Sequence, residues 1–389
     1  MTQLLHLFLL LFVTSTLNAH AQIKTGAEST NEYLPLLQGK RVGLVANHTT
    51  TIGKTHLLDT LLSLKVNVTA VFSPEHGFRG KADAGEHVKC DVDAKTGVPL
   101  VSLYGENKKP TAAQFKNCDI IVFDIQDVGV RFYTYISTMH YVLETCAETN
   151  TPCIILDRPN PNGFYVDGPV LNPALITSFI GMHPVPIVHG MTIGEYARMI
   201  IGEKWLAGGV QTDLQVITCK NYTHADKYKL PIAPSPNLPN MQAVYLYPVL
   251  CLTEGTPLSC GRGTPYPFQV IGHPNWRDSS FSFTPIAIEG ASKNPPLKNQ
   301  LCYGTDLRNY PTENLQQMPL HIFLTAYKNY TGSAPFFTSF FFKLAGNAAL
   351  KQQITAGKTE DEIRQSWHTE LENYKKIRKK YLLYADFLK

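Results

Sequence analysis

Two glutamates stand out by their surroundings. Glu75 lies between a proline and a histidine in Pro74-Glu75-His76-Gly77-Phe78-Arg79-Gly80, after an apolar run and before glycine turns. It has no helix to cap and no evident stabilising task, so its reading is functional; His76 beside it suits either support or direct contact. Glu254 follows Val249-Leu250-Cys251-Leu252, which reads as another strand end, and lies in a Gly-rich polar segment that continues through Ser259-Cys260-Gly261-Arg262-Gly263-Thr264. Two carboxyls facing each other across a cleft suit glycoside hydrolysis. One stays protonated for the leaving oxygen, and the other is an anion that attacks or activates water.

More polar residues cluster after apolar runs. Asp124-Ile125-Gln126-Asp127-Val128-Gly129 runs into Arg131-Phe132-Tyr133-Thr134-Tyr135, and Asp157-Arg158-Pro159-Asn160 follows another run. Each has a plain structural alternative. Asp124 suits a turn cap, and Asp157–Arg158 a structural ion pair. Arg131 suits either a fork on a substrate carboxylate or neutralisation of Asp124 or Asp127. Tyr133 suits packing or the wall of a sugar pocket.

These positions are set by alternating strand and helix signals. Arg41–Asn47, Val66–Ser73, Asp119–Asp124 and Cys153–Asp157 read as short buried strands. Lys54–Leu64, a short helix opening at Pro110-Thr111, and Tyr133–Thr149 read as the helices between them. Thr192-Ile193-Gly194-Glu195 fits a capping box for another helix reaching Trp205. The pattern predicts an α/β fold: a Rossmann-like parallel sheet domain, with ligands bound beyond the carboxyl ends of its strands. The proline-rich Pro231–Pro239 can be neither central strand nor helix interior. It marks the approach to a boundary near 240, giving a Rossmann-like catalytic domain over 22–240 and a smaller α/β domain over 241–389. In the latter, Phe281–Phe283 reads as strand, and Leu315–Tyr330 and Glu360–Tyr381 as helices. The active-site cleft is expected between the two domains.

The opening residues 1–21 are apolar for about a dozen positions and end in Ala19-His20-Ala21. This matches a secretory signal with cleavage near Ala21–Gln22, too short for a membrane span of roughly 20 residues. The expectation is an exported protein, periplasmic or at the cell surface, without stable membrane insertion after processing.

Several chemistries are excluded. Gly53-Lys54-Thr55 ends like a P-loop, but His48 occupies the position of its first glycine. The turn after the first strand, Ala46-Asn47-His48-Thr49-Thr50, carries no dinucleotide fingerprint. No G-x-S-x-G or H-E-x-x-H is present. None of the eight cysteines forms a C-x-x-C or sits at zinc-ligand spacing with histidine, which counts against a zinc amidase. A net charge of +4 is too mild to argue for nucleic acid.

Taken together, SPEHGFRG, GVPLVSLYG, KKPT, DIIVFDIQDVGVRFYTYISTM, LDRPNPNG, DGPVL, HGMTIGE, PSPNLP and EGTPLSCGRGT resemble the motifs of glycoside hydrolase family 171, the exo-β-N-acetylmuramidases, in the family's order from about Arg41 to Phe268. The resemblance implies release of N-acetylmuramic acid from the non-reducing end of peptidoglycan fragments, with no metal or organic cofactor. It implies Glu75 and Glu254 as the catalytic pair, Glu75 being the acid/base. It also places His76, Asp124, Asp127, Arg131, Tyr133, Asp157, Arg158, His189, Asn237 and Arg262 in matching motifs as candidates to bind or support substrate, with an arginine reading the lactyl carboxylate. One departure is Cys260, where family members usually carry glutamate. That substitution is the feature that favours the rival reading, a non-catalytic periplasmic binding protein for muramyl sugars or cell wall.

Overall fold

The computed structural model describes residues 22–74, 78 and 92–387. Six parallel strands form the main sheet: β1 (Arg41–Ala46), β2 (Asn67–Ser73), β3 (Leu100–Ser102), β4 (Ile120–Asp124), β5 (Cys153–Leu156) and β6 (Leu214–Ile217). Their spatial order is β3-β2-β1-β4-β5-β6. The order reverses between β1 and β4, which pair from Val42–Ile120 to Ala46–Asp124. The crevice outside the carboxyl ends of these strands is where such sheets bind ligands.

Side chains leave the central strands alternately to two apolar clusters, as the two-residue period of a strand requires. Ile121 and Phe123 of β4 join the larger cluster; Ile120 and Val122 join the smaller. Both faces are covered, hence the near-continuous apolar runs. The smaller cluster is closed by the helices Thr30–Leu37 and Leu57–Ser63. The larger is closed by Tyr135–Thr149 and Ile193–Gly202, the latter begun by the expected capping box of Thr192 and Glu195.

Three regions differ from the sequence reading. Residues 51–56 form a two-stranded hairpin, so the helix expected from Lys54 begins only at Leu57. The edge strands β3 and β6 carry no buried run strong enough to read as strands. The run before Glu254 is not a strand: Met241–Leu250 is a helix, capped by the Asn240 side chain accepting from the Ala243 amide at 3.0 Å. A helix buried on all sides has no polar face, and its apolar run looks like a buried strand.

Beyond residue 250 lies a three-stranded antiparallel sheet of Val270–His273, Cys302–Asp306 and Ser282–Phe283, with Cys302–Asp306 in the middle. The helices Leu320–Asn329, Ser339–Ala345, Ala349–Thr355 and Glu360–Lys379 follow. Phe323, Phe341, Ile363, Trp367 and Tyr374 from these helices belong to the same apolar cluster as Phe123 of the parallel sheet. The segment after the last helix returns to the sheet, where the Leu383 amide donates to Glu195 at 2.7 Å. Among the described residues, no helix is long and apolar enough to cross a membrane.

Candidate active site

Tyr133, Tyr135, Asn237, Tyr247, Arg262 and Phe268 surround a cleft of about 470 Å³, partly open to solvent. The segment after β4 supplies one wall. The Tyr133 hydroxyl donates to the Pro234 carbonyl at 2.9 Å, and Asn47, just past the end of β1, donates to the Tyr135 hydroxyl at 2.8 Å. The tyrosines are thus fixed from the sheet's carboxyl edge. Asn237 is steadied by donating to the Ala291 carbonyl at 2.9 Å.

Glu254 is not itself a lining residue and is joined to the cleft through Arg262, which is one. Glu254 sits on the 3-10 turn Cys251–Gly255 that continues the helix Met241–Leu250. A Cβ on Gly255 would lie 2.4 Å from the backbone of Phe341, so glycine is what lets the helix Ser339–Ala345 press against this turn. One oxygen of Glu254 accepts from Nε of Arg262, and the pair is partly exposed, at 23% and 21%. Burial works against the charge on Arg262, but Glu254 holds the guanidinium protonated above its usual range. The guanidinium also lies over the Phe268 ring, 5.0 Å from its centroid. Its terminal nitrogens have no protein partner among the described residues and remain available to an anion.

Cys260 lies beneath this pair and is 2% exposed. Burial, reinforced by the charge of Glu254, pushes its thiol up to about 12. It is therefore neutral, neither a nucleophile nor a substitute carboxylate. Glu75 and His76 lie outside the described residues. The strand that precedes them is described: β2 ends at Ser73, one residue before Pro74.

The remaining candidates lie in the interior, not on the cleft. Asp124 is wholly buried and accepts from Nε and Nη2 of Arg158 at 2.5 and 2.8 Å. Arg158 also donates to the Thr51 carbonyl at 3.1 Å, so the pair ties β4, β5 and the hairpin together. The structural ion pair expected for Asp157–Arg158 is therefore made by a different carboxylate. Asp157 instead accepts from Thr192 at 2.7 Å, the Gly194 amide at 2.8 Å and the Tyr384 hydroxyl at 2.6 Å. Burial raises its carboxyl to about 6.

Arg131 neither forks a substrate carboxylate nor neutralises Asp124 or Asp127. Buried to 1% exposure, it donates to the carbonyls of Pro169, Val185 and Leu344 at 2.9, 2.8 and 2.6 Å. Its role is to hold the parallel-sheet part against the helix Ser339–Ala345. Asp127 accepts from the Gly129 amide at 2.7 Å through one oxygen; the other has no partner. Burial lifts its carboxyl to about 7. Nε2 of His189 lies 3.8 Å away, and burial pushes that imidazole down to about 3, which keeps it neutral.

Sequence reasoning missed Phe132 and Tyr247 as cleft walls. Tyr247 hides in the apolar run Val244–Leu250; a tyrosine pair spaced through that run was its one available signal. Among the described residues no group of His, Cys, Asp or Glu is arranged to hold a metal ion.

Comparison with known proteins matches the chain in two consecutive stretches. The profile described as Exo-beta-N-acetylmuramidase NamZ, N-terminal, matches residues 42–242. Its partner, Exo-beta-N-acetylmuramidase NamZ, C-terminal, matches residues 245–384. The chain belongs to this family. It is 38% identical over 384 residues to the peptidoglycan beta-N-acetylmuramidase NamZ of Bacillus subtilis, covering 93% of this chain and 92% of that one. A DUF1343 family protein of Bacteroides fragilis superposes with a TM-score of 0.87 at 48% identity, covering 94% of this chain and all of the other. A second DUF1343 protein of that organism gives 0.80 at 27% identity, covering 93% and 99%. In family terms, Glu254, Arg262 and Phe268 come from the C-terminal part, and Tyr133, Tyr135 and Asn237 from the N-terminal part.

Proposed function

We infer that this chain is a glycosidase that releases N-acetylmuramic acid from the non-reducing end of peptidoglycan fragments; its family is described as exo-beta-N-acetylmuramidase and its Bacillus subtilis relative as a peptidoglycan beta-N-acetylmuramidase. The observation that carries the reading is the identity to that relative along nearly the whole of both chains. The cleft suits the substrate class. Aromatic faces line it, and a guanidinium held by Glu254 has terminal nitrogens free for the lactyl carboxylate that separates muramic acid from glucosamine.

Within this reading Glu75 is the acid/base. Glu254 positions Arg262 and adds negative charge opposite the oxocarbenium-like transition state. Tyr133 and Asn237 shape the sugar pocket. The interior groups Asp124, Asp127, Asp157, Arg158 and His189 position the strand ends and do not touch sugar. The opening residues 1–21, outside the described residues, serve as an export signal, which places the enzyme in the periplasm or at the cell surface.

The test is release of chromophore from an aryl β-N-acetylmuramide, beside the matching glucosaminide, by wild type, Glu75→Gln and Glu254→Gln. The expected result is turnover of the muramide alone, with Glu75→Gln lower by about 100-fold or more. Equal turnover of both sugars, or an unaffected Glu75→Gln, refutes the respective assignment.

A further inference from the structure

A second concave surface lies in the C-terminal part and contributes nothing to the chemistry above. It is a depression more open to solvent than the cleft. Tyr327 and Lys328 come from the last turn of the helix Leu320–Asn329, Tyr330 and Phe336 from the loop after it, and Arg277 from the segment after strand Val270–His273.

Two segments are zipped together to make it. Trp276 and Tyr330 form an antiparallel bridge. The Arg277 amide donates to the Asn329 carbonyl, and the Thr331 amide to the Asn275 carbonyl, at 3.1 and 3.0 Å. The aromatic wall is continuous: Tyr330 meets Phe336 at 5.5 Å between centroids, and Phe336 meets Tyr327 at 5.0 Å. The Tyr330 ring folds back so that its hydroxyl donates to the Ala334 carbonyl at 3.1 Å. A Cβ on Gly332 would lie 2.4 Å from that hydroxyl, so glycine permits the fold-back.

Two cations here stand beside one carboxylate, Asp278. Arg277 and Lys328 are exposed and make no ion pair among the described residues. The adjacent Asp278 is engaged locally, with its two oxygens taken by the Ser280 amide and hydroxyl. Elsewhere on the surface, cations with a carboxylate neighbour use it, as Arg308 does with Asp306 at 2.6 Å. Two free cations beside the half-buried rings of Tyr327 and Tyr330 form a pattern that receives an anion attached to an amphipathic body. Rings stack on the apolar face of a pyranose, and the cations take a carboxylate.

We propose that this depression is a second saccharide site, remote in function from the cleft, that holds carboxylate-bearing glycan of the cell wall while the cleft processes chain ends. The choice of ligand rests on the function proposed above; the site itself rests on the charge and aromatic geometry. A holding site suits an exo-acting enzyme, because chain ends are scarce on a polymer and retention near the glycan raises the rate of finding them.

The experiment compares full-length wild type with Arg277→Ala/Lys328→Ala, both substitutions being at exposed positions. Co-sedimentation with purified peptidoglycan sacculi is measured beside hydrolysis of the aryl muramide. The expected result is about tenfold weaker binding to sacculi by the double variant, with aryl-muramide turnover unchanged. Sacculi stripped of their peptides locate the carboxylate. Wild-type preference retained on stripped sacculi supports the sugar as ligand, and its loss overturns the saccharide assignment. Equal sedimentation of the two proteins, or a parallel fall in aryl-muramide turnover, overturns the proposal. If wild type sediments as expected but hydrolyses no muramide, the muramidase reading fails and the second site stands.

Discussion

Replacing Asp127 with asparagine isolates the cost of a buried carboxyl. Asparagine keeps the acceptor for the Gly129 amide, and the partnerless second oxygen loses no protein hydrogen bond. In the folded protein the carboxyl titrates near 7, and in the unfolded chain near the ordinary 3.8. Between those values the native state holds a proton that the unfolded state has released, so wild-type stability falls as pH rises through the window. Integrated over the difference, at about 1.4 kcal/mol per tenfold, the fall reaches about 4 kcal/mol by pH 8. Asp157 titrates near 6 in both proteins and drops out of the comparison. Urea unfolding of wild type and Asp127→Asn at pH 4 and pH 8 reads the effect directly. The variant should gain on wild type by up to about 4 kcal/mol between the two conditions. A stability difference independent of pH refutes the reasoning, since it would mean that Asp127 is ionised in the fold throughout.

Other substitutions test the interior roles. Arg158→Met strands the Asp124 carboxylate without a partner and should cost about 3–5 kcal/mol of stability, while adding Asp124→Leu should recover most of it; chemical denaturation measures both. Arg131→Met takes the side-chain donor from the Pro169 and Leu344 carbonyls, while Val185 keeps the Leu171 amide, and should destabilise by about 2 kcal/mol or more, yet leave the preference for muramide over glucosaminide unchanged among folded molecules. A changed preference would return Arg131 to the sugar site. Thr359→Ala removes one half of the capping box that starts the helix Glu360–Lys379 and should lower stability by about 1 kcal/mol, read as a shift in melting temperature.

The sequence conveyed the sheet well because parallel strands buried on both faces leave unbroken apolar runs, as in Ile120–Asp124 and Cys153–Leu156. It conveyed the edges poorly: Leu214–Ile217 alternates between intermediate and exposed positions and has no such run. It located Tyr133, Asn237 and Arg262, which the fold gathers at one cleft. It assigned too many charges to that cleft. Asp124, Asp157 and Arg158 stand at strand ends as expected, but a strand end also borders the interior. Which way each side chain turns was decided by partners far along the chain, such as Tyr384 for Asp157. Arg131 shows the same limit: its three carbonyl acceptors have no sequence signature at all.

The contact between Tyr384 and Asp157 also bears on how the molecule is made. The two residues are 227 positions apart, and the Leu383 amide on Glu195 spans 188. A ribosome completes the parallel sheet's strands long before it delivers these partners. Until then, Asp157 and Glu195 are carboxylates in a forming core that still lacks part of its donor set. The nascent N-terminal half should therefore remain loose around the end of β5 and tighten only after residues 383 and 384 emerge. That delay leaves the end of β5 open to unfolding for as long as residues 383 and 384 have yet to emerge.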